Sequence, residues 1–134
     1  MEYYSPDIPG LSAWSMVKIL TRDGRVVIQQ RFSSSNPDER SLSHGEGSAL
    51  LRLTDYALNR PENGWDILFK SQGRSATIVR FNRDLDSSRP GGPGIVRFNV
   101  ENVRFLFDLR HCAEFRGHLK EALDLLVVSE VIES

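Results

Sequence analysis

The pentapeptide IVRFN stands at 78–82 and again at 95–99, and Val103-Arg104-Phe105 writes its centre a third time. Each copy alternates apolar with polar side chains, the period of a strand with one buried and one open face. Closely spaced segments of this kind commit a chain to antiparallel β structure. Within IVRFN, Val and Phe share one face, and Ile, Arg and Asn the other. The alternation therefore predicts that Val79, Phe81, Val96, Phe98, Phe105 and Phe107 form a core. The same alternation sends Arg80, Arg97 and Arg104 to the reverse of the sheet.

Turn chemistry supplies the remaining strands. Residues 13–21 and 25–32 meet across Arg22-Asp23-Gly24, and Asp-Gly between apolar runs is a strong hairpin signal because both turn positions need φ > 0. Residues 65–70 and 74–82 form a second hairpin around Ser71-Gln72-Gly73. Strands at 95–99 and 103–110 join through Val100-Glu101-Asn102. Two helices follow from the 3.6-residue period. Residues 48–59 place Leu50, Leu53 and Ala57 on one face with Ser48 as N-cap, and 111–128 align Cys112, Phe115, Leu119, Leu123 and Leu126.

The expected order is ββ-α-ββ-ββ-α. This is an α+β fold with a mainly antiparallel sheet of about six strands and both helices on one face. Residues 1–134 read as one domain. Residues 1–12 are an extended arm that Tyr3 and Tyr4 can pin, and 33–47 and 83–94 are flexible loops. Ile19-Leu20…Gly24-Arg25…Arg31-Phe32 also matches Ile67-Leu68…Gly73-Arg74…Arg80-Phe81 with one insertion. A duplicated hairpin explains the match, and so do two hairpins under the same rules.

Charge narrows the function classes. With a net charge of −1, bulk attraction to nucleic acid or an anionic membrane is not implied. The distribution is uneven: segments 13–32, 65–82 and 95–110 hold ten Lys and Arg against four acids, and the rest of the chain is acidic. Arg31 and Lys70 are expected to join Arg80, Arg97 and Arg104 as an anion-binding sheet face. Its ligand would be single-stranded nucleic acid, held through phosphates, or an acidic protein. The bland reading is that long basic stems simply cover an open face. Inward phenylalanines count against base stacking, the usual mode for single strands.

Chemistry is sparse elsewhere. Ser43-His44-Gly45-Glu46-Gly47-Ser48 resembles an anion-cradling loop without the Lys-Ser/Thr of a P-loop, and His44 with Glu46 is a weak acid/base pair. His111 and His118 lie seven apart on a helix, a spacing that more often decorates a solvated face than binds metal. The lone Cys112 sits on an apolar stripe as a core residue. No catalytic residue, metal or cofactor is assigned, and nothing in the chain calls for an enzyme. No stretch is apolar enough to span a membrane, and no signal peptide is read, so a cytoplasmic location is expected. Leu125, Val128 and Ile132 form a second apolar stripe, expected to serve a homodimer or partner. The competing function is therefore a protein–protein adaptor, inhibitor or immunity-type protein using that stripe and the 33–47 loop.

Overall fold

Asp23 (φ 55°) and Gly24 (φ 75°) both adopt the left-handed conformation that a two-residue hairpin turn demands, closing the Arg22–Arg25 pair as the sequence predicts. The computed structural model describes residues 3–10, 15–32, 37–59, 64–71, 74–82, 94–101 and 103–133; within these, side chains are described outside 64–75, 80–82 and 127–133. Its elements are β1 (Ile8–Pro9), β2 (Met16–Arg22), β3 (Arg25–Arg31), β4 (Asp38–Leu42), α1 (His44–Asn59), β5 (Gly64–Ser71), β6 (Arg74–Asn82), β7 (Gly94–Val100), β8 (Val103–Asp108) and α2 (Leu109–Glu133).

The class is α+β with two helices and antiparallel pairing, but the single six-stranded sheet is corrected. Two antiparallel sheets form, ordered β1-β2-β3-β4 and β5-β6-β7-β8, so the chain reads ββββα twice. The added strands come from segments read as an arm and a loop. Along the arm, Ser5 N–H donates to the Ile19 carbonyl and Thr21 N–H to the Tyr3 carbonyl. Pro6 interrupts this ladder, and the Ser5 hydroxyl repairs it by accepting from the Ile19 N–H at 2.8 Å. β4, DERSL, falls inside the expected 33–47 loop. It carries one buried apolar residue, Leu42, and is held as an edge strand by its backbone pairing with β3. Both hairpins of the sequence match form, and the match superposes β2–β3 on β5–β6, whereas equal positions in the two units are β2–β3 and β6–β7.

α1 begins four residues before the expected cap. Ser43 Oγ accepts from the Glu46 N–H at 3.1 Å, and Glu46 Oε1 accepts from the Ser43 N–H at 2.9 Å. This reciprocal capping box satisfies two backbone donors and draws the glycine-containing stretch into the helix. Gly47 sits close against α2: a Cβ there would lie 2.9 Å from Leu123 Cδ2 and displace the end of that side chain. The buried stripe of α1 is Gly47, Leu50, Thr54 and Ala57; Thr54 satisfies its hydroxyl on the Leu50 carbonyl at 2.6 Å. Leu53, expected inside, is only partly buried. Arg116 of α2 grips Asp55 of α1 through two hydrogen bonds of 2.5 and 3.1 Å.

One core draws on the inner faces of both sheets and on both helices. Its centre is a ring cluster in which Phe115 of α2 lies 5.3 Å from Phe98 and 5.1 Å from Phe107. The predicted α2 stripe, Cys112, Phe115, Leu119, Leu123 and Leu126, is buried throughout. No helix among the described residues is long and apolar enough to cross a membrane.

The two IVRFN copies do not lie in phase. In β7, Val96 and Phe98 enter the core while Arg97 and Asn99 stay half-exposed. The β6–β7 register joins Ile78 to Phe98 and Val79 to Arg97. Ile78 is therefore the core residue of the first copy, and Val79 belongs to the outer face. The physical reason is parity: the copies are an odd number of residues apart, while this register pairs residues of like parity.

Candidate functional site

The arginines expected on one sheet are divided between two. Arg31 lies on the outer face of the first sheet with its guanidinium 3.5 Å from Asp7, which also faces Lys18 at 3.7 Å. Nearby cations there are matched as well. Arg22 donates to Glu39 at 3.0 Å, and Arg25 donates to Ser41 Oγ at 2.7 Å with Glu46 at 3.8 Å. The hydrogen bonds from Arg22 and Gln29 hold the Glu39 carboxyl below its ordinary range, and the Glu39 hydrogen bond raises Arg22 in turn. Among the described residues, Lys18, Arg22, Arg25 and Arg31 on this face each lie within 4.0 Å of a carboxylate.

Arg97 and Arg104 come together on the outer face of the second sheet. Cross-strand pairing builds that face in rows: Thr77, Asn99 and Arg104 form one, and Val79, Arg97 and Leu106 the next. Arg104 is exposed, and among the described residues neither arginine has an ion-pair partner. The Arg97 Nε is shielded from water and has no hydrogen-bond partner among the described residues, its stem flanked by two aliphatic side chains. Asp108, the acid nearest this face on β8, is turned to capping α2: it accepts from the His111 N–H at 2.8 Å and lies 3.0 Å from His111 Nδ1. Glu101 reaches the other way, to Arg40 at 3.4 Å.

The backbone of Lys70 pairs with Ser75, and that of Arg80 with Val96; their side chains lie outside the described residues. The position of Arg80 is thus out of phase with Arg97, by the same parity that inverts the motif. Trp65 holds the register position opposite Val79. Leu125 is half-buried, while the side chains of Val128 and Ile132 lie outside the described residues. The backbone stays helical through this segment to Glu133.

His44 and Glu46 do not form an acid/base pair in an open loop, because Glu46 is occupied by the helix cap and by Arg25. His118 enters a cluster that the sequence did not indicate. The Tyr3 hydroxyl donates to Glu121 Oε2 at 2.6 Å and lies 2.7 Å from His118 Nδ1. With the phenol proton directed at the carboxylate, Nδ1–H is the group that donates to the phenol oxygen. Burial, then the hydrogen bond and charge of Glu121, push the Tyr3 phenol well above its usual range. Tyr3 and His118 are 115 residues apart; the only sequence signal was the pair of tyrosines in the arm. An open hollow on α1 is lined by Arg52, Leu53, Asp55, Tyr56 and Asn59, with Asp55 already held by Arg116.

The outer face of the second sheet thus brings two guanidinium groups together without a carboxylate partner among the described residues. No protein-family model matches the chain, and no curated protein matches it in sequence.

Proposed function

We propose that this chain is a non-catalytic binding module that holds an acidic polypeptide on the outer face of its second sheet. Arg97 and Arg104 supply the charge, Asn99 and Thr77 the adjoining hydrogen bonds, and Val79 and Leu106 the aliphatic contact. The observation that carries this reading is the contrast between the sheets: ion-paired cations on the first, and on the second two arginines without an ion-pair partner among the described residues. Two guanidiniums set among aliphatic side chains suit carboxylates presented by a folded or helical partner. They suit a nucleic-acid strand less well, because Phe98, Phe105 and Phe107 are buried and offer no stacking platform.

Fluorescence anisotropy with a labelled poly-glutamate peptide at ~50 and ~200 mM salt tests the reading. Binding that weakens with salt and is lost in the Arg97→Ala, Arg104→Ala double variant is expected. No binding at the lower salt, or binding indifferent to both substitutions, overturns it. A labelled oligonucleotide that binds more tightly than the peptide would transfer the face to nucleic acid.

A further inference from the structure

We infer that the open hollow on α1 is a socket for an aromatic side chain of a partner polypeptide, a second site separate from the outer face of the second sheet. The inference comes from a structural repeat: the two ββββα units correspond position by position. Ser43 and Asp108 cap their helices in the same way, accepting from the Glu46 and His111 N–H groups. Leu50, Thr54 and Ala57 are buried in α1 where Phe115, Leu119 and Ala122 are buried in α2. Val26 lies opposite Leu42 as Val96 lies opposite Phe107, and Thr21 opposite Val26 as Arg80 opposite Val96. The outermost strands even share an irregularity. Register slips by one residue between Tyr4 and Ile8, and again between Ile67 and Phe69. Tyr4 opposite Leu20 therefore corresponds to Trp65 opposite Val79. One step earlier, the Tyr3 carbonyl accepts from the Thr21 N–H where Gly64 pairs with Arg80, so Tyr3 corresponds to Gly64.

The helices cross between the units: α2 packs over β1 and β2, and α1 over β5 and β6. On α2 the crossing makes a socket that Tyr3 fills. Its hydroxyl meets Glu121 at 2.6 Å and His118 at 2.7 Å, and its ring centroid lies 6.3 Å from that of His118. The α1 positions that correspond to His118 and Glu121 are Leu53 and Tyr56, and both line the hollow, beside Arg52, Asp55 and Asn59. The residue that corresponds to Tyr3 is a glycine, which brings no ring. The hollow is about 520 Å³, inside the range of roughly 300–1,000 Å³ found for small-ligand clefts. Its chemistry differs from that of the filled socket. Leu53 and Tyr56 replace an imidazole and a carboxylate, so the walls suit the face or edge of a ring. Asp55 is engaged by Arg116 through two hydrogen bonds, and Arg52 is the cation of the rim. A carboxylate next to the ring would meet that guanidinium. The occupant is therefore an aromatic residue flanked by acidic ones on an exposed segment of another polypeptide.

Amide NMR of the full chain, titrated with the peptide acetyl-Glu-Tyr-Glu-amide, reads the site residue by residue. Saturable shifts at Arg52, Leu53, Tyr56 and Asn59 are expected, with a Kd of about 1 mM or tighter. The same peptide with alanine in place of tyrosine should bind there at least ~10-fold more weakly. Gly64→Tyr should fill the socket from within, abolish the shifts and raise Tm by about 3 °C. Gly64→Val supplies a strand-forming side chain without a ring and should leave the shifts in place. Tyr56→Ser, on an exposed wall, should weaken binding about 10-fold with unchanged circular dichroism, which keeps the test sharp if Gly64→Tyr does not fold. No saturable shift on α1, an equal response to the alanine peptide, or binding indifferent to Tyr56→Ser refutes the socket. Shifts confined to the rows of Arg97 and Arg104 refute it too, and leave the reading of the sheet face standing.

Discussion

Replacing Ile78 by alanine should cost about 3 kcal/mol, and replacing its neighbour Val79 less than about 1 kcal/mol. The two residues open the same motif, and strand alternation read from the sequence assigns them the opposite roles. Ile78 is 3% exposed and pairs with Phe98 in the core, whereas Val79 is half-buried and pairs with Arg97. Ile78→Ala removes three carbons, about 2.4 kcal/mol at ~0.8 per methylene, and leaves space beside Phe98 that adds roughly 0.5–1 kcal/mol. Val79→Ala removes two carbons already partly in water, about 0.8 kcal/mol, and leaves no enclosed cavity. With a urea slope of about 2 kcal/mol per molar, the midpoints should fall by ~1.5 M and ~0.4 M. Val96→Ala serves as the reference, because Val96 is the core residue in the second copy at the position Val79 holds in the first. Equal losses for Ile78 and Val79, or a larger loss for Val79, would refute the inverted phase and return Arg80 to the row of Arg97.

Two further outcomes follow from local geometry. Gly24 has φ 75° and nothing within 4 Å of a built Cβ, so Gly24→Ala should cost ~1–2 kcal/mol of pure backbone strain, read by thermal melting; a neutral result would mean the turn relaxes to another type. The folded state raises the Tyr3 phenol and thereby favours its neutral form. Its contribution is complete below the ordinary phenol range near 10 and is lost as pH rises toward the folded value. Melting temperature against pH should therefore fall above about pH 10, and Tyr3→Phe should flatten that limb; an unchanged alkaline limb would mean Tyr3 does not clasp α2.

What the sequence carried was the local grammar. The alternation of β7 and β8, the Asp23-Gly24 turn and the α2 stripe each depend on neighbours in the chain, and each stands as expected. β4 was invisible because an edge strand with one inward apolar residue has no pattern of its own. The phase of β6 was invisible because register is fixed between strands, and a repeated motif carries no label for which parity its partner will take. The site divides on the same line. Arg97 and Arg104 were legible from period two within their own hairpin. The neutralisation of Arg31 was not, since it depends on where an arm carrying Asp7 is laid. Ser43 and Glu46 did spell a capping box, and reading that S-x-x-E spacing would have placed the helix start correctly.

The two sheets meet without sharing a single ladder. Gln30 of β3 donates its amide to the Arg104 carbonyl at 2.8 Å, and Arg40 of β4 reaches the turn after β7 at Glu101. Arg104 thus faces solvent with its guanidinium and anchors a seam with its main chain. Any load that displaces this strand outward stretches a bond rooted in the opposite half of the molecule.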